Sequence, residues 1–197
     1  MSAYTYRVRS QPNYPSLCWD TSGARHLLVI LDLDAAAISN LCHIPCPGPL
    51  TVLVRGSSAD PALFPLIQSH ALIRSFDSIE ALIASLHTEL NDAKMGLRLY
   101  ALGHEDGLWK CNQAGQKFGM SRDEIQLAQA VTTGRPVYCV HCGHHMNLIH
   151  TNITVCDGCK RHLLVRDHFS RLLGAYMGFQ IDAECPGVLP PVEEVFP

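Results

Sequence analysis

Apolar residues in this chain fall into short, nearly unbroken runs separated by polar stretches rich in turn-forming residues. His26-Leu-Leu-Val-Ile-Leu31, Leu50-Thr-Val-Leu-Val-Arg55 and Leu97-Arg-Leu-Tyr-Ala-Leu102 read as strands buried on both faces, with Ala71-Leu-Ile-Arg74 as a shorter one. Between them the period lengthens. Asp34 to Leu41 forms a short helix that Pro45, Pro47, Gly48 and Pro49 prevent from continuing. Pro61 opens a second helix after the Gly56–Asp60 turn. Asp77 and Glu80 form a capping-box pattern ahead of a third, whose Ile79, Leu82, Ile83, Leu86 and Leu90 share one stripe. Gly103 to Gly119 is helical in part, and Ser121 with Glu124 caps a further short helix through Ala130.

This alternation of strand and helix predicts the α/β class, with a parallel sheet covered by helices on both faces. A polar, Pro- and Gly-containing arm over residues 1–25 precedes the α/β domain at 26–131. The turn-rich Thr132-Thr-Gly-Arg-Pro136 marks the boundary to a second domain at 132–197. In that domain Phe169, Leu172, Leu173 and Tyr176 fall at i, i+3, i+4 and i+7, which predicts a C-terminal helix from about Asp167 to Tyr176. Pro186, Pro190, Pro191 and Pro197 make the tail extended. No internal repeat is evident.

The second domain contains the most specific chemical signal. Cys139-Val-His-Cys142-Gly143 and Cys156-Asp-Gly-Cys159 are two CxxC turns separated by thirteen residues. A two-residue gap lets both sulfurs of a turn face one ion, and paired turns supply the four thiolates of a tetrahedral site. Sulfur-only tetrahedral coordination suits zinc, or iron in a rubredoxin-like site. Gly143 and Gly158 can take positive φ and free backbone N–H groups to point at sulfur. Rubredoxin-like turns usually have glycine after each pair and often proline inside the second. Here Lys160 follows the second pair and neither contains proline, which favours zinc. Four thiolates leave no open position, so the predicted site is closed and structural.

Of nine cysteines, Cys18, Cys42, Cys46, Cys111 and Cys185 remain. The odd count and the absence of an export signal argue for reduced thiols and a cytoplasmic chain. Cys42-x-x-x-Cys46 with His43 is a second, less specific metal candidate. His141, His144, His145, His150, His162 and His168 crowd the second domain. With four cysteines in register, they read as surface or supporting groups rather than ligands. No GxSxG or HExxH nucleophile or protease signature is present. The net charge of −3 and the lack of aromatic interleaving in the Lys160, Arg161, Arg166, Arg171 stretch argue against nucleic acid. That stretch, with Met177 and Phe179, is a candidate docking face. No apolar run reaches the ~18 residues of a membrane span.

Parallel sheets bind ligands beyond the C-terminal ends of their strands. In the first such turn, Leu31-Asp-Leu-Asp-Ala35, there is no glycine for close phosphate approach and there are two carboxylates. Tyr100-Ala-Leu-Gly-His-Glu-Asp106 and Phe118-Gly-Met-Ser-Arg-Asp-Glu124 nevertheless resemble the last βα unit of a flavin-reductase nicotinamide domain, nearest the siderophore-interacting branch. The missing glycines make it a degenerate version, a scaffold without a nucleotide.

The run Cys156-Asp-Gly-Cys-Lys-Arg-His-Leu-Leu-Val-Arg-Asp-His-Phe-Ser-Arg-Leu-Leu-Gly-Ala-Tyr-Met-Gly178, with Asp182-Ala-Glu184 and Pro186-Gly187, resembles the C-terminal region of DmmA-type small subunits of dimethylamine monooxygenase. The resemblance implies an accessory subunit of a multi-component oxidase. Such an oxidase converts dimethylamine to methylamine and formaldehyde with dioxygen and reduced nicotinamide. It further implies haem in one partner subunit, and flavin with an iron–sulfur centre in a reductase partner. This chain would then contribute a zinc ribbon on Cys139, Cys142, Cys156 and Cys159, and contacts. The alternative is an electron-transfer subunit with iron on the same four sulfurs.

Overall fold

A computed structural model describes residues 10–130 and 134–196. The chain divides into two compact units, Tyr14–Thr132 and Thr133–Pro197, the second taking in residues 10–13. The turn expected at Thr132–Pro136 and the arm expected over 1–25 lie partly outside the described residues.

The first unit holds β1 (Arg25–Ile30), α1 (Ala35–Cys42), β2 (Leu50–Arg55), α2 (Phe64–Gln68), β3 (Leu72–Phe76), α3 (Ile79–Asn91), β4 (Leu97–Gly103), α4 (Glu105–Lys117) and β5 (Ile125–Gln129). Its five strands are parallel, in the order β3-β2-β1-β4-β5. The chain winds outward from β1 to β3, then crosses back to lay β4 and β5 on the other side of β1. The point between β1 and β4, where the winding reverses, is the topological switch.

Strand residues alternate between two apolar layers. Leu27, Val29, Leu53, Leu99 and Ala101 face α3 and α4 through Leu82, Leu86, Leu108 and Cys111. Leu28, Ile30, Val52, Val54 and Leu102 face the other way, toward Ile38, Leu41, Leu63 and Leu66. Each wholly buried leucine contributes roughly 1.5–3 kcal/mol of transfer free energy, and burial on both faces explains the unbroken apolar runs.

Local caps fix the helix starts. Asp34 accepts from the Ala37 amide at 2.9 Å and Asp60 from the Ala62 amide at 2.9 Å. The third helix is capped by Ser78, which accepts from the Ala81 amide at 3.2 Å, and not by Asp77 as expected. The stretch after Gly103 is a full helix of 13 residues.

The helix expected from Ser121 to Ala130 does not form. The Ser121–Glu124 capping box exists, but it closes one 3-10 turn at Arg122–Glu124 and the chain then extends as β5. Ile125 and Leu127 join one apolar layer while Ala128 and Ala130 join the other. A two-residue period serves both layers of the sheet, which a helix at this edge would not.

The second unit is a five-stranded sheet, β6 (Arg135–Cys139), β7 (His145–Ile149), β8 (Ile153–Val155), β9 (His162–Ser170) and β10 (Ala175–Gln180), in the order β7-β6-β10-β9-β8. Here the expected helix over Asp167–Tyr176 is replaced by the β9–β10 hairpin. Gly174, at φ 65°, closes its turn. Phe169 and Tyr176 are cross-strand partners whose rings meet edge to face at 4.9 Å, and Leu172 is 86% exposed at the tip. Two residues seven apart can share a helix face or face each other across a four-residue turn. The glycine and the apolar alternation of Leu163 and Val165 select the hairpin.

The tail after β10 is extended and tied back. Asn152 accepts from the Glu193 amide at 2.8 Å, and His150 Nδ1 lies 2.8 Å from the Phe196 carbonyl. The Arg135 guanidinium stacks on Tyr176 and Phe196, 4.1 and 3.7 Å from the ring centres, and pairs with Asp167 at 2.7 Å.

Candidate metal centre

Two chain reversals of the same construction bring the cysteines together. The first links β6 to β7 and carries Cys139 and Cys142; the second links β8 to β9 and carries Cys156 and Cys159. In the first, the Gly143 amide donates to the Cys139 carbonyl at 2.9 Å, and the Cys139 amide to the His144 carbonyl at 2.9 Å. In the second, the Lys160 amide donates to the Cys156 carbonyl at 2.9 Å, and the Cys156 amide to the Arg161 carbonyl at 2.9 Å. The residue after each pair is left-handed, Gly143 at φ 75° and Lys160 at φ 60°.

Gly158 does not adopt the positive φ expected of it; among the glycines of the two turns only Gly143 does. Gly158 is needed for space instead. A Cβ there would stand 3.0 Å from the His144 Cβ and 3.2 Å from the Cys142 sulfur. The two turns touch at this glycine.

All four ligand atoms of Cys139, Cys142, Cys156 and Cys159 lie within 4.8 Å of one another. The Cys139–Cys159 and Cys142–Cys156 sulfurs are 3.8 and 3.6 Å apart. Metal–sulfur bonds of about 2.3 Å in a tetrahedron separate the sulfurs by about 3.8 Å, so the donor set fits a zinc-sized ion. Cys139 and Cys156 are buried, whereas Cys142 is exposed and Cys159 half-buried. One side of the sulfur cage therefore opens to solvent.

Electrostatics within the cage favour a cation. Burial resists ionisation of Cys156, but the amides of Cys159 and Gly158 and the neighbouring thiols donate to its sulfur and bring it down to about 7. The His144 amide favours a thiolate at Cys142, but partial desolvation beside the cage and the three adjoining sulfurs hold its proton, pushing it up to about 12. Four sulfurs at this spacing cannot share four negative charges without a positive ion between them.

Among the described residues this is the one group of three or more His, Cys, Asp or Glu side chains within reach of a common ion. Cys42 and Cys46 sit half-buried against the apolar layer of α1, and burial raises both thiols, but no three-ligand group forms there. Cys111 is wholly buried and pushed up to about 12 by that burial, and all nine cysteines are free thiols. The six crowded histidines stay outside the cage. His145 meets the Tyr138 ring at 5.0 Å, His150 holds the tail, and the His144 side chain lies over Gly158.

Of the candidate docking residues, Arg166 and Arg171 are exposed, while Arg161 is tied to Gln180 at 3.0 Å. Opposite Met177, β9 bulges between Val165 and Phe169 and presents Arg166, Asp167 and His168 outward. Phe179 is exposed, with the Arg166 guanidinium 5.4 Å from its ring centre. Sequence reasoning did not anticipate this bulge, because it depends on register across β9 and β10. Among the described residues no helix is long and apolar enough to cross a membrane.

Comparison with known proteins places both units. Residues 6–125 match the N-terminal domain, and residues 136–179 the C-terminal domain, of the family described as dimethylamine monooxygenase subunit DmmA-like. A curated relative from Ectopseudomonas mendocina (strain ymp), the heme-dependent oxidative N-demethylase delta subunit, is 36% identical over 124 residues, which are 62% of this chain and 71% of the relative. A solved structure of phthalate dioxygenase reductase, described as modular for electron transfer from pyridine nucleotides to [2Fe-2S], aligns over 71% of this chain at 12% identity with a TM-score of 0.36. The chain spans about half (47%) of the length of that reductase. With one family model covering most of the first unit and another the core of the second, this chain belongs to the DmmA-like family of dimethylamine monooxygenase subunits.

Proposed function

We propose that this chain is an accessory, non-catalytic small subunit of an oxidative N-demethylase that converts dimethylamine to methylamine and formaldehyde. In this reading Cys139, Cys142, Cys156 and Cys159 hold one structural zinc, and the second unit docks onto partner subunits. One partner carries haem; another is a reductase with flavin and an iron–sulfur centre. The complex works in the cytoplasm, where reduced thiols persist.

The observation that carries the reading is the closed donor set. Four sulfurs at tetrahedral spacing leave no position for water or substrate, so an ion held there staples chain segments and does not activate a molecule. Membership of a family of oxygenase subunits supports a role beside catalytic partners. Lys160 in the left-handed position after the second pair, and the lack of proline in either pair, support zinc over iron.

Elemental analysis with a visible spectrum tests the metal. One zinc per chain and no colour is expected; one iron with a red, reductant-bleachable spectrum would make the chain an electron carrier. Arg166→Glu with Arg171→Glu tests docking: it is expected to weaken co-purification with the partner subunits while leaving the metal content unchanged. Undiminished co-purification would remove this face from the assembly.

A further inference from the structure

The first unit has the winding of a nucleotide-binding sheet, and its switch point falls between β1 and β4. In such sheets an anionic ligand group sits beyond the strand ends, received by a helix N-terminus and often by a basic side chain. Both receivers are present here. α4, 13 residues long, begins directly after β4 with His104 as its N-cap. Arg55, at the end of β2, donates from Nε to the Leu31 carbonyl at 2.8 Å.

The group between them is the chain's own. Asp32, two residues past the end of β1, accepts from the His104 amide at 2.8 Å. The same carboxylate oxygen accepts from His104 Nδ1, and the other pairs with the Arg55 guanidinium. A carboxylate is acceptor-only, so Nδ1 carries the proton in this contact. Burial opposes the charge on Asp32, but the two donations from His104 and the nearby Arg55 outweigh it and keep the carboxyl below its usual range.

The strand ends leave no room beside it. Gly103 is left-handed at φ 154°, and a Cβ there would lie 2.6 Å from the Leu31 Cβ and 3.1 Å from the Asp32 carboxylate. A Cβ on Gly107, in the first turn of α4, would lie 2.6 Å from the Leu31 side chain. These glycines bring backbone up to the chain's own residues rather than up to a ligand. The neighbouring carboxylates add to the negative charge that a pyrophosphate would meet: Asp34 caps α1, and Glu105 and Asp106 occupy the first turn of α4.

We infer that Asp32 is an internal ligand, occupying the anion position of a nucleotide-type sheet and clamped there by Arg55, His104 and the start of α4, so that the unit binds no nicotinamide dinucleotide. The likeness to a nicotinamide domain thus extends to the receivers but not to vacancy. The inference stands independently of which metal the second unit holds and of which proteins it meets.

Two titrations of the full chain test it, read by thermal unfolding and calorimetry. Wild type is expected to show no saturable response to NADH, NADPH or ADP, and none to inorganic phosphate beyond that to sodium chloride of equal ionic strength. Asp32→Ala uncovers Arg55 and the α4 terminus; its unfolding midpoint should rise saturably by about 2 °C or more in inorganic phosphate. Adding Arg55→Gln to that variant should abolish the rise. Saturable NADH, NADPH or ADP binding by wild type would overturn the inference, whether or not the variant folds. A folded Asp32→Ala protein with no gain for phosphate would overturn it equally.

Discussion

Lys160 and Gly158 sit two residues apart and show opposite uses of a turn. Lys160 takes the left-handed conformation at φ 60°, which costs a residue with a Cβ roughly 1–2 kcal/mol. The hydrogen bond from its amide to the Cys156 carbonyl holds it there. Lys160→Gly removes that strain but adds about 0.5–1 kcal/mol of backbone entropy. The expected outcome is a neutral to slightly stabilising change, with metal retained as long as in wild type when a chromogenic chelator competes for it. Gly158 carries no backbone strain, yet a side chain there would fit only if His144 and the Cys142 sulfur, 3.0 and 3.2 Å from its missing Cβ, gave way by a few tenths of an ångström. Gly158→Ala should push His144 and the Cys142 sulfur back by a few tenths of an ångström, at a cost of roughly 1–3 kcal/mol. The same chelator assay should then release metal faster than from wild type; an unchanged rate would mean that the turns yield without moving the sulfurs.

At the scale of elements, the segment before β1 behaves as part of the sheet it precedes. Trp19 donates from Nε1 to the Ile44 carbonyl at 3.0 Å, and the Asp20 amide donates to the Tyr100 hydroxyl at 3.0 Å. Asp20 accepts from the amide and hydroxyl of Ser22 at 2.8 and 2.7 Å and pairs with Arg98 on β4. These donations, the Ser22 hydroxyl first and Arg98 next, lower its carboxyl from 3.8 to about 2. A depressed folded-state value stabilises above the unfolded value and loses that contribution as pH falls through the folded one. The loss here spans about pH 4 to 2. In urea unfolding, wild type should therefore weaken across that window. Asp20→Asn, already lacking the contribution at neutral pH, should show a shallower acid dependence. Equal slopes would mean that the charge on the Asp20 carboxylate adds nothing to what Trp19 and the Asp20 amide already hold.

Elements also show where sequence patterns carry structure and where they do not. β1, β2 and β4 are legible because burial on both faces leaves an unbroken apolar run. The CxxC turns are legible because their chemistry is local and fixed by spacing. β5 and the β9–β10 hairpin are not. Ser121–Glu124 is a genuine helix-start signal that is overridden after one turn by an open sheet edge beside β4. Phe169 and Tyr176 satisfy a helical period through cross-strand pairing. The Asp32 clamp was visible only as a missing glycine and an excess of charge, since its partners come from β2 and from the junction of β4 and α4.

At the scale of the whole molecule, the two units differ in what holds them. The first has two apolar layers around a five-stranded sheet. The second is a sheet of short strands whose interior rests on residues such as Val137, Met146, Ile153, Leu163, Val165 and Phe169. A module of that size gains too little from burial to be secure alone, and a four-thiolate ion can contribute on the order of 10 kcal/mol to folding. With the proposed ion on the four sulfurs, removing one of them should therefore divide the molecule's stability. Cys142→Ser is expected to lose the ion and to expose residues 134–180 to protease and to fast amide exchange. Residues 14–130 should keep wild-type protection, because their layers contain no ligand. Leu99→Ala should produce the reverse pattern. It removes a wholly buried side chain from the first unit at a cost of roughly 2–5 kcal/mol and should leave the metal content untouched. Hydrogen exchange followed by mass spectrometry reads both variants in one experiment. If Cys142→Ser lowered protection equally in both units, stability would be shared across the chain, and the staple would serve the whole molecule instead of the sheet that carries it.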